Sequence, residues 1–266
     1  MNPQPAPQST LDAPVPYSDA FFNWQQDGAL RSARLVVPIV LRLFKTESVI
    51  DIGCGRGAWL RAFEERGVRT IRGIDGDYVD RSKLLIAEEC FSNADLSKPF
   101  EVPGRYDLAV CLEVAEHLPH EMAGNLVENL VKAAPAVLFS AALPGQGGTH
   151  HINEQMPAYW RRLFKRHGYV LLDPIRPEIL TDRRIESFYR QNTVVYACEE
   201  LIRNTPELDA YRMDEDGLGI EWVQAYVLGR HESVRSLSRQ LTAALGRAVR
   251  RRIDRLTGGS VVHAGK

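Results

Sequence analysis

The chain has 266 residues, of which 44% are hydrophobic, and a formal net charge of -1 at pH 7. A chain of this length buries a full-sized core in one domain and leaves room for a small extension. The near-neutral charge argues against long nucleic acid, DNA included, as the substrate of the main domain, because neutralising phosphates needs a basic face. The four cysteines form no Cys-x-x-Cys pair, so nothing points to a zinc ribbon or a disulfide framework, and a reducing cytoplasm is the expected location.

The first 16 residues contain five prolines and neither a basic segment nor an apolar core, so we predict a disordered lead-in rather than a secretory signal. Two helices are predicted next, at residues 18–26 and 30–44. The apolar stretch at 35–41 is too short to span a bilayer and is interrupted by Pro38, which favours a soluble protein.

Residues 48–57 (Ser-Val-Ile-Asp-Ile-Gly-Cys-Gly-Arg-Gly) are typical of a buried strand that turns through three glycines into a helix. Glycines let the backbone take positive φ and let a ligand approach without meeting a Cβ atom. The N-terminus of the following helix offers unpaired N–H groups. This turn is therefore the predicted cofactor-binding element.

In the rest of the chain, segments with the hydrophobic period of a strand alternate with segments that have the period of a helix. Such alternation predicts an α/β fold, in which a mostly parallel sheet has an antiparallel edge and the binding crevice lies at the carboxyl ends of the strands. We predict helices at 121–132 and 157–167, and strands at 108–112, 136–140, 169–175 and 191–198.

The pattern Asp51-x-Gly53-x-Gly55-x-Gly57 resembles the first motif of the class I S-adenosylmethionine-dependent methyltransferases. Residues 71–75, 91–96 and 106–119 resemble the family's next motifs in the expected order, and ordered matches are far more specific than one glycine pattern. The resemblance implies a Rossmann-like, mostly parallel seven-stranded sheet with helices on both faces, and S-adenosylmethionine (SAM) as cofactor. The implied cofactor-binding residues are Asp51, Gly53, Cys54, Gly55, Gly57, Asp75, Gly76, Asp95, Leu96 and Glu113.

The resemblance also implies individual roles. Asp75 holds the ribose hydroxyls, because a carboxylate accepts two hydrogen bonds from a vicinal diol. Asp95 meets the adenine amino group, and the backbone of Leu96 lies beside the ring. The leading helices often form a lid in this family; its candidate residues, which are equally explained as ordinary core, are Tyr17, Phe22, Trp24 and Gln25.

Methyl transfer to a hydroxyl needs a base near the methyl group. His117 directly follows the fourth strand, and His150 and His151 lie in a loop after the fifth. The alternatives are that His117 caps the next helix and that the paired histidines are solvated surface residues.

Glu113-x-x-Glu116-His117 also resembles the metal motif of ubiquinone-pathway O-methyltransferases and of the enzymes that methylate the terminal ribose of small RNAs. The latter add a histidine from the fifth-strand loop, which is His151 here. This resemblance implies a divalent ion (Mg, Mn or Zn) acting as a Lewis acid. The same letters occur in relatives without metal, so both alternatives stay open.

The segment 144–160 and residues 189–192 resemble a bacterial subgroup associated with cell-surface glycans or secondary metabolites. Polar side chains beside Tyr159 and Trp160 suit a ring-shaped polar acceptor such as a sugar. Residues that either contact a phosphate or carboxylate handle or make structural hydrogen bonds are Arg176, Arg190, Gln191 and Asn192.

Residues 228–266 carry nine basic and two acidic residues, with apolar residues at alternating three- and four-residue steps. We predict a basic amphipathic helix that packs on its own domain or on a second copy of the chain; contact with anionic lipid or with RNA are the alternatives. The predicted organisation is a lead-in at 1–16, a methyltransferase domain at 17–204 and an extension at 205–266.

The sequence therefore predicts a cytoplasmic SAM-dependent methyltransferase that methylates a hydroxyl of a sugar, a glycan precursor or a related small molecule. An RNA ribose 2′-O-methyltransferase and a non-catalytic scaffold with the same fold are the two rivals.

Overall fold

The computed structural model describes residues 19–213, with side chains from residue 27 onward. One seven-stranded sheet organises this region, in the strand order β3-β2-β1-β4-β5-β7-β6. β1 to β5 are parallel, and β7 runs antiparallel to both β5 and β6, which confines the antiparallel pairing to one edge. The strands are β1 Ser48–Ile52, β2 Thr70–Asp75, β3 Phe91–Asn93, β4 Leu108–Leu112, β5 Ala136–Ser140, β6 Tyr169–Leu172 and β7 Val194–Cys198.

Helices cover both faces of the sheet, so the central strands β4 and β5 are buried throughout and apolar almost without interruption. One face packs on α1 and α2, the other on α3 and α4. The helices are α1 Asp19–Leu43, α2 Ala58–Glu65, α3 Ala123–Ala133, α4 Pro157–Arg166, α5 Arg176–Ile179, α6 Ser187–Asn192 and α7 Glu199–Asn204.

The predicted fold class is confirmed, whereas several element boundaries differ. One continuous helix, α1, replaces the two predicted helices at 18–26 and 30–44. Glycine inside a helix costs only about 1 kcal/mol, and a Cβ atom at Gly28 would lie 2.8 Å from Glu186 Oε1, so the glycine allows close packing rather than a break.

The two closing strands are shorter than predicted. β6 ends at Leu172 instead of residue 175, and residues 191 and 192 belong to helix α6 rather than to β7. Residues 205–213 pack back on the domain: Asp173 N–H donates to Tyr211 O at 2.9 Å, and Leu208 is 1% exposed. The packed fold thus continues past the predicted boundary at residue 204.

No helix within residues 19–213 is long and apolar enough to cross a bilayer. The predicted lead-in, Tyr17 and the predicted basic helix lie outside the described residues, and the side chains of Phe22, Trp24 and Gln25 are likewise not described.

Candidate functional site

The turn between β1 and α2 lies where the strand order reverses, next to the end of β4. Gly53 has φ +84°, and a Cβ atom there would lie 2.3 Å from Val114 Cγ2. Only glycine fits such a position without strain. The N–H groups of Gly53 and Cys54 donate to Ile74 O at 2.8 and 3.2 Å, which ties the turn to β2.

Asp75, the last residue of β2, holds this turn from the other side. Its carboxylate accepts hydrogen bonds from Gly55 N–H at 2.6 Å, from its neighbour Gly76 N–H at 2.7 Å and from the Tyr78 hydroxyl. Burial raises the pKa of Asp75, while these three donors oppose the shift. The contact between Tyr78 and Asp75 was not predicted from the sequence; the one available signal was a tyrosine three residues after the aspartate.

A cleft of about 690 Å³ opens at the carboxyl ends of β1, β2 and β4. This volume is in the range of ligand pockets for small molecules. Seven of the ten predicted cofactor residues line it: Gly53, Gly55, Asp75, Gly76, Asp95, Leu96 and Glu113.

Asp95 and Leu96 follow β3 and line the same cleft as the glycine turn. Leu96 is buried, whereas Asp95 is exposed and accepts hydrogen bonds from Ser97 N–H at 3.0 Å and from Lys98 Nζ at 2.8 Å. The bonds from Lys98 and Ser97 lower the pKa of Asp95 to about 2, so its carboxylate is ionised at neutral pH.

A smaller cavity of about 90 Å³ adjoins the same turn and contains Asp51 and Cys54. We call it the side cavity. Trp59 and Tyr189 form its apolar wall, with ring centroids 5.1 Å apart in an edge-to-face arrangement. Burial, and then the charge of Asp75, raise the pKa of Asp51 well above its usual value.

Gly57 lines neither cavity. It has φ +83° at the N-terminus of α2, and a Cβ atom there would lie 2.9 Å from Ile86 Cγ1. Gly57 therefore shapes the turn and the packing of α2, and the expectation that it contacts the cofactor finds no support in the geometry.

Glu116, His117 and His151 form a compact cluster beside the cleft, in which one ligand atom from each lies within 4.8 Å of the others. Glu116 is fully buried, and neither carboxylate oxygen has a hydrogen-bond partner among the described residues. Burial, and then the charge of Glu113, raise the pKa of Glu116 well above its usual value.

His117 lines the cleft, and its ring lies edge-to-face with that of His151 at a centroid distance of 4.9 Å. Burial, and then the nearby His151, lower the pKa of His117 to about 4, so the imidazole is neutral at pH 7. A neutral imidazole is the form that accepts a proton or binds a metal ion.

Glu113 lies outside this cluster, unlike in the predicted four-residue metal set. Its carboxylate accepts a hydrogen bond from Asn192 Nδ2 at 3.0 Å and one from Gln146 Nε2 at 3.0 Å. Burial raises the pKa of Glu113, and these amide donors oppose the shift. Both oxygens thus have protein donors, which the sequence motif did not indicate.

Glu154 organises the glycine-rich loop that carries His151 (residues 144–151). Its carboxylate accepts hydrogen bonds from Gly145 N–H at 2.7 Å and Gly147 N–H at 2.8 Å, and it pairs with His151 Nδ1 at 2.9 Å. The loop is also joined to the fourth-strand segment, because Ile152 N–H donates to Glu116 O at 2.9 Å.

Residues 24–140 match the family model described as "Methyltransferase domain". This match covers the strands and the turn that form the cleft. Residues 24–140, less than half of the chain, are therefore similar to a methyltransferase domain.

Curated relatives extend this similarity at low identity. A ubiquinone biosynthesis O-methyltransferase of Neisseria meningitidis serogroup C is 27% identical over 134 residues, 44% of this chain and 56% of the relative. One from Chromobacterium violaceum is 26% identical over 136 residues, with the same shares. The chain therefore spans about half the length of the curated relatives that it matches.

Among solved structures, an O-methyltransferase family protein from Burkholderia thailandensis is similar with a TM-score of 0.49 and 14% identity, covering 68% of this chain and 60% of that one. The magnesium protoporphyrin IX methyltransferase of Synechocystis PCC 6803, solved with bound SAH, has a TM-score of 0.45 and 19% identity. That similarity covers 66% of this chain and 87% of the neighbour.

Two residues expected to contact an acceptor have structural roles in the methyltransferase domain. Arg176 is 3% exposed and its guanidinium binds both carboxylate oxygens of Asp173, at 3.0 and 2.6 Å. Arg190 donates to the carbonyl oxygens of Ile185 and Leu180 at 3.1 and 2.9 Å. These contacts fit the structural role that the sequence left open for the two arginines, because buried backbone and carboxylate groups need such donors.

Polar residues that follow the fifth strand form a hydrogen-bonded group with His120. His120 Nδ1 and Asn153 Oδ1 are 3.2 Å apart, and Gln155 Nε2 donates to Asn153 Oδ1 at 2.9 Å. Tyr159 lies against the His120 ring at a centroid distance of 5.3 Å. His150 is exposed, with φ +58°, and is not part of the His117–His151 cluster.

Proposed function

We propose that the protein transfers a methyl group from SAM to a hydroxyl of a sugar, a glycan precursor or a related small molecule. The observation that carries the proposal is the pair of adjoining cavities at the glycine turn, one lined by Asp75 and Asp95 and the other by Asp51. The carboxylates of the first cavity suit the hydrogen-bond donors of a nucleoside, and the carboxylate of the second suits the ammonium group of an amino-acid tail.

In this proposal the adenosine lies in the cleft. Asp75 accepts hydrogen bonds from the ribose hydroxyls, Asp95 meets the adenine amino group, and the buried Leu96 lies beside the ring. The amino-acid tail lies in the side cavity, where the carboxylate of Asp51 pairs with the ammonium group. Cys54 contributes to the wall of the same cavity.

Methyl transfer to a hydroxyl is an in-line displacement: the bond from oxygen to the methyl carbon forms as the bond from carbon to sulfur breaks. The hydroxyl proton must leave, and the neutral imidazole of His117 lines the cleft and accepts it. His151 lies beside His117 and is held by Glu154, so it completes the basic side of the site.

A divalent metal ion also fits this cluster. The buried carboxylate of Glu116 has no hydrogen-bond partner among the described residues, and such a group is costly unless a cation binds it. We propose that Glu116, His117 and His151 would hold the ion, which would act as a Lewis acid on the acceptor hydroxyl. Activity that is unchanged by EDTA, and by Mg, Mn or Zn added afterwards, would exclude the metal.

The polar and aromatic group around His120 favours an acceptor with a sugar ring. His120 and Gln155 offer hydrogen-bonding groups, and Tyr159 offers an aromatic face for a ring. Mass spectrometry of nucleotide sugars and lipid-linked glycans after incubation with isotopically labelled SAM tests this directly. One labelled methyl group per acceptor is the expected result, and unmodified acceptors throughout the panel would contradict the proposed substrate class.

Methylation of a terminal RNA ribose is a second candidate, favoured by the Glu116–His117–His151 cluster that the resembling RNA enzymes share. Binding of short RNA that weakens steeply with salt would support this candidate over a sugar acceptor. The third reading, a non-catalytic scaffold, predicts no heat in calorimetry with S-adenosylhomocysteine (SAH).

A further inference from the structure

The cleft and the side cavity share three lining residues: Gly53, Gly55 and Glu113. Two of them are glycines. Among the described residues, Glu113 is therefore the one whose side chain lines both cavities and lies at their junction. Glu116, three residues later in the chain, lines neither cavity.

The position of this junction becomes important once the cofactor is considered, and this step rests on the proposed function. In SAM the sulfonium group connects the adenosyl group to the amino-acid tail. With the adenosine in the cleft and the tail in the side cavity, the sulfur atom has to pass the junction. A fixed positive charge thus comes to lie beside the carboxylate of Glu113.

The carboxylate of Glu113 is held in a defined orientation. Gln146 comes from the glycine-rich loop and Asn192 from the end of α6, and each donates one hydrogen bond to it at 3.0 Å. Asn192 Nδ2 also donates to Gln146 Oε1 at 2.9 Å, so the two amides support each other.

The backbone of Glu113 is fixed as well. It has φ +55°, an uncommon conformation for a residue other than glycine, and its N–H donates to Ser140 O at 3.1 Å and to Ser140 Oγ at 3.0 Å. Strained backbone of this kind is frequent at functional sites. The amides carry no charge, so they orient the carboxylate without neutralising it.

We propose that Glu113 is the counter-charge to the sulfonium group of SAM, and that Gln146 and Asn192 are positioning residues that aim its carboxylate at the junction. The attraction acts on the charged donor and disappears when the methyl group leaves, because SAH is neutral at sulfur. Glu113 therefore favours SAM over SAH and assists product release.

The same reasoning predicts how the kinetic constants divide. The positive charge on sulfur diminishes as the methyl group moves away, so Glu113 stabilises the bound substrate more than the transition state. Removing the charge therefore raises KM for SAM, while kcat stays unchanged or rises. A metal ligand at this position would behave in the opposite way, with a large loss of kcat.

Calorimetric titration of the full chain with SAM and with SAH tests the proposal. In Glu113→Gln we expect SAM affinity to fall about tenfold, which corresponds to roughly 1.4 kcal/mol, and SAH affinity to fall by less than about threefold, because SAH carries no charge at sulfur. SAH binding also reports whether the variant is folded. An unchanged ratio of SAM affinity to SAH affinity in the variant would overturn the proposal.

Gln146→Met provides the second test, because it leaves the charge of Glu113 in place and removes one donor. In the wild-type background we expect Gln146→Met to lower the ratio of SAM affinity to SAH affinity by less than Glu113→Gln does. In the Glu113→Gln background we expect it to lower that ratio no further. Additive effects in the two backgrounds would refute the positioning role. Failure of the wild-type protein to bind either ligand would instead refute the proposed function itself.

Discussion

Replacing Asp75 by Asn tests the cofactor site at its most connected residue. The Asp75 carboxylate is 3% exposed and accepts hydrogen bonds from Gly55 N–H, Gly76 N–H and the Tyr78 hydroxyl. Asn keeps the shape of the side chain, but it replaces one carboxylate oxygen with an NH2 group. This donor then faces a backbone N–H group that had donated to the oxygen. The ribose hydroxyls lose their charged acceptor in the same step.

The size of this effect follows from hydrogen-bond energies. Losing a bond to a charged acceptor costs about 1.5–3 kcal/mol, so we expect SAH affinity to fall about 100-fold, corresponding to about 2.7 kcal/mol. Burial raises the pKa of Asp75 and so makes its charge costly. Neutral Asn relieves this cost, so we expect the melting temperature to change little.

Calorimetry with SAH is the appropriate assay, with circular dichroism melting as the check on folding. Asp77→Asn is the matched control, because Asp77 lines the same cleft but is exposed. It removes an equal charge, and we expect less than about threefold weakening. If Asp75→Asn binds SAH as tightly as the control does, the assignment of the ribose contact is wrong.

Gly53→Ala is expected to lower stability by about 1–3 kcal/mol and to abolish SAH binding, because its Cβ atom would meet Val114 at a φ of +84°. Gly55→Ala, where nothing lies within 4 Å of the new Cβ atom, should destabilise less in the same denaturant titration; equal losses would show that the contact is unimportant. Tyr78→Phe should tighten SAH binding several-fold in calorimetry, because the Tyr78 hydroxyl competes with the ribose for Asp75. Weaker binding would mean that Tyr78 itself contacts the cofactor.

Local sequence patterns were sufficient for most of the sheet. The strands β4 and β5 coincide with their predicted ranges, and β1 directly precedes the glycine turn as predicted, because each is a short run rich in apolar residues. The closing part was less predictable: residues 191 and 192 look like the start of a strand yet end a helix. The buried side chain of Asn192 bonds across the domain to Glu113, a constraint that no local pattern contains.

The motif Glu113-x-x-Glu116-His117 illustrates the same limit at the site. The sequence places both acids near the end of the fourth strand, but it treats them as equivalent. The structure separates them: Glu113 accepts bonds from two amides, whereas Glu116 is buried beside the histidines without such donors. Glu113 also has positive φ, an uncommon backbone conformation that Glu116 does not share.

The sequence by itself determined the fold class and the cofactor turn, because strand and helix periodicity and the glycine spacing are properties of neighbouring residues. Tertiary structure alone decided which side chains meet in the site. Gln146 and Asn192 lie 33 and 79 positions from Glu113, and contacts over such separations depend on how the sheet brings its carboxyl ends together. Side-chain pairing between remote elements leaves no periodic trace in a single chain.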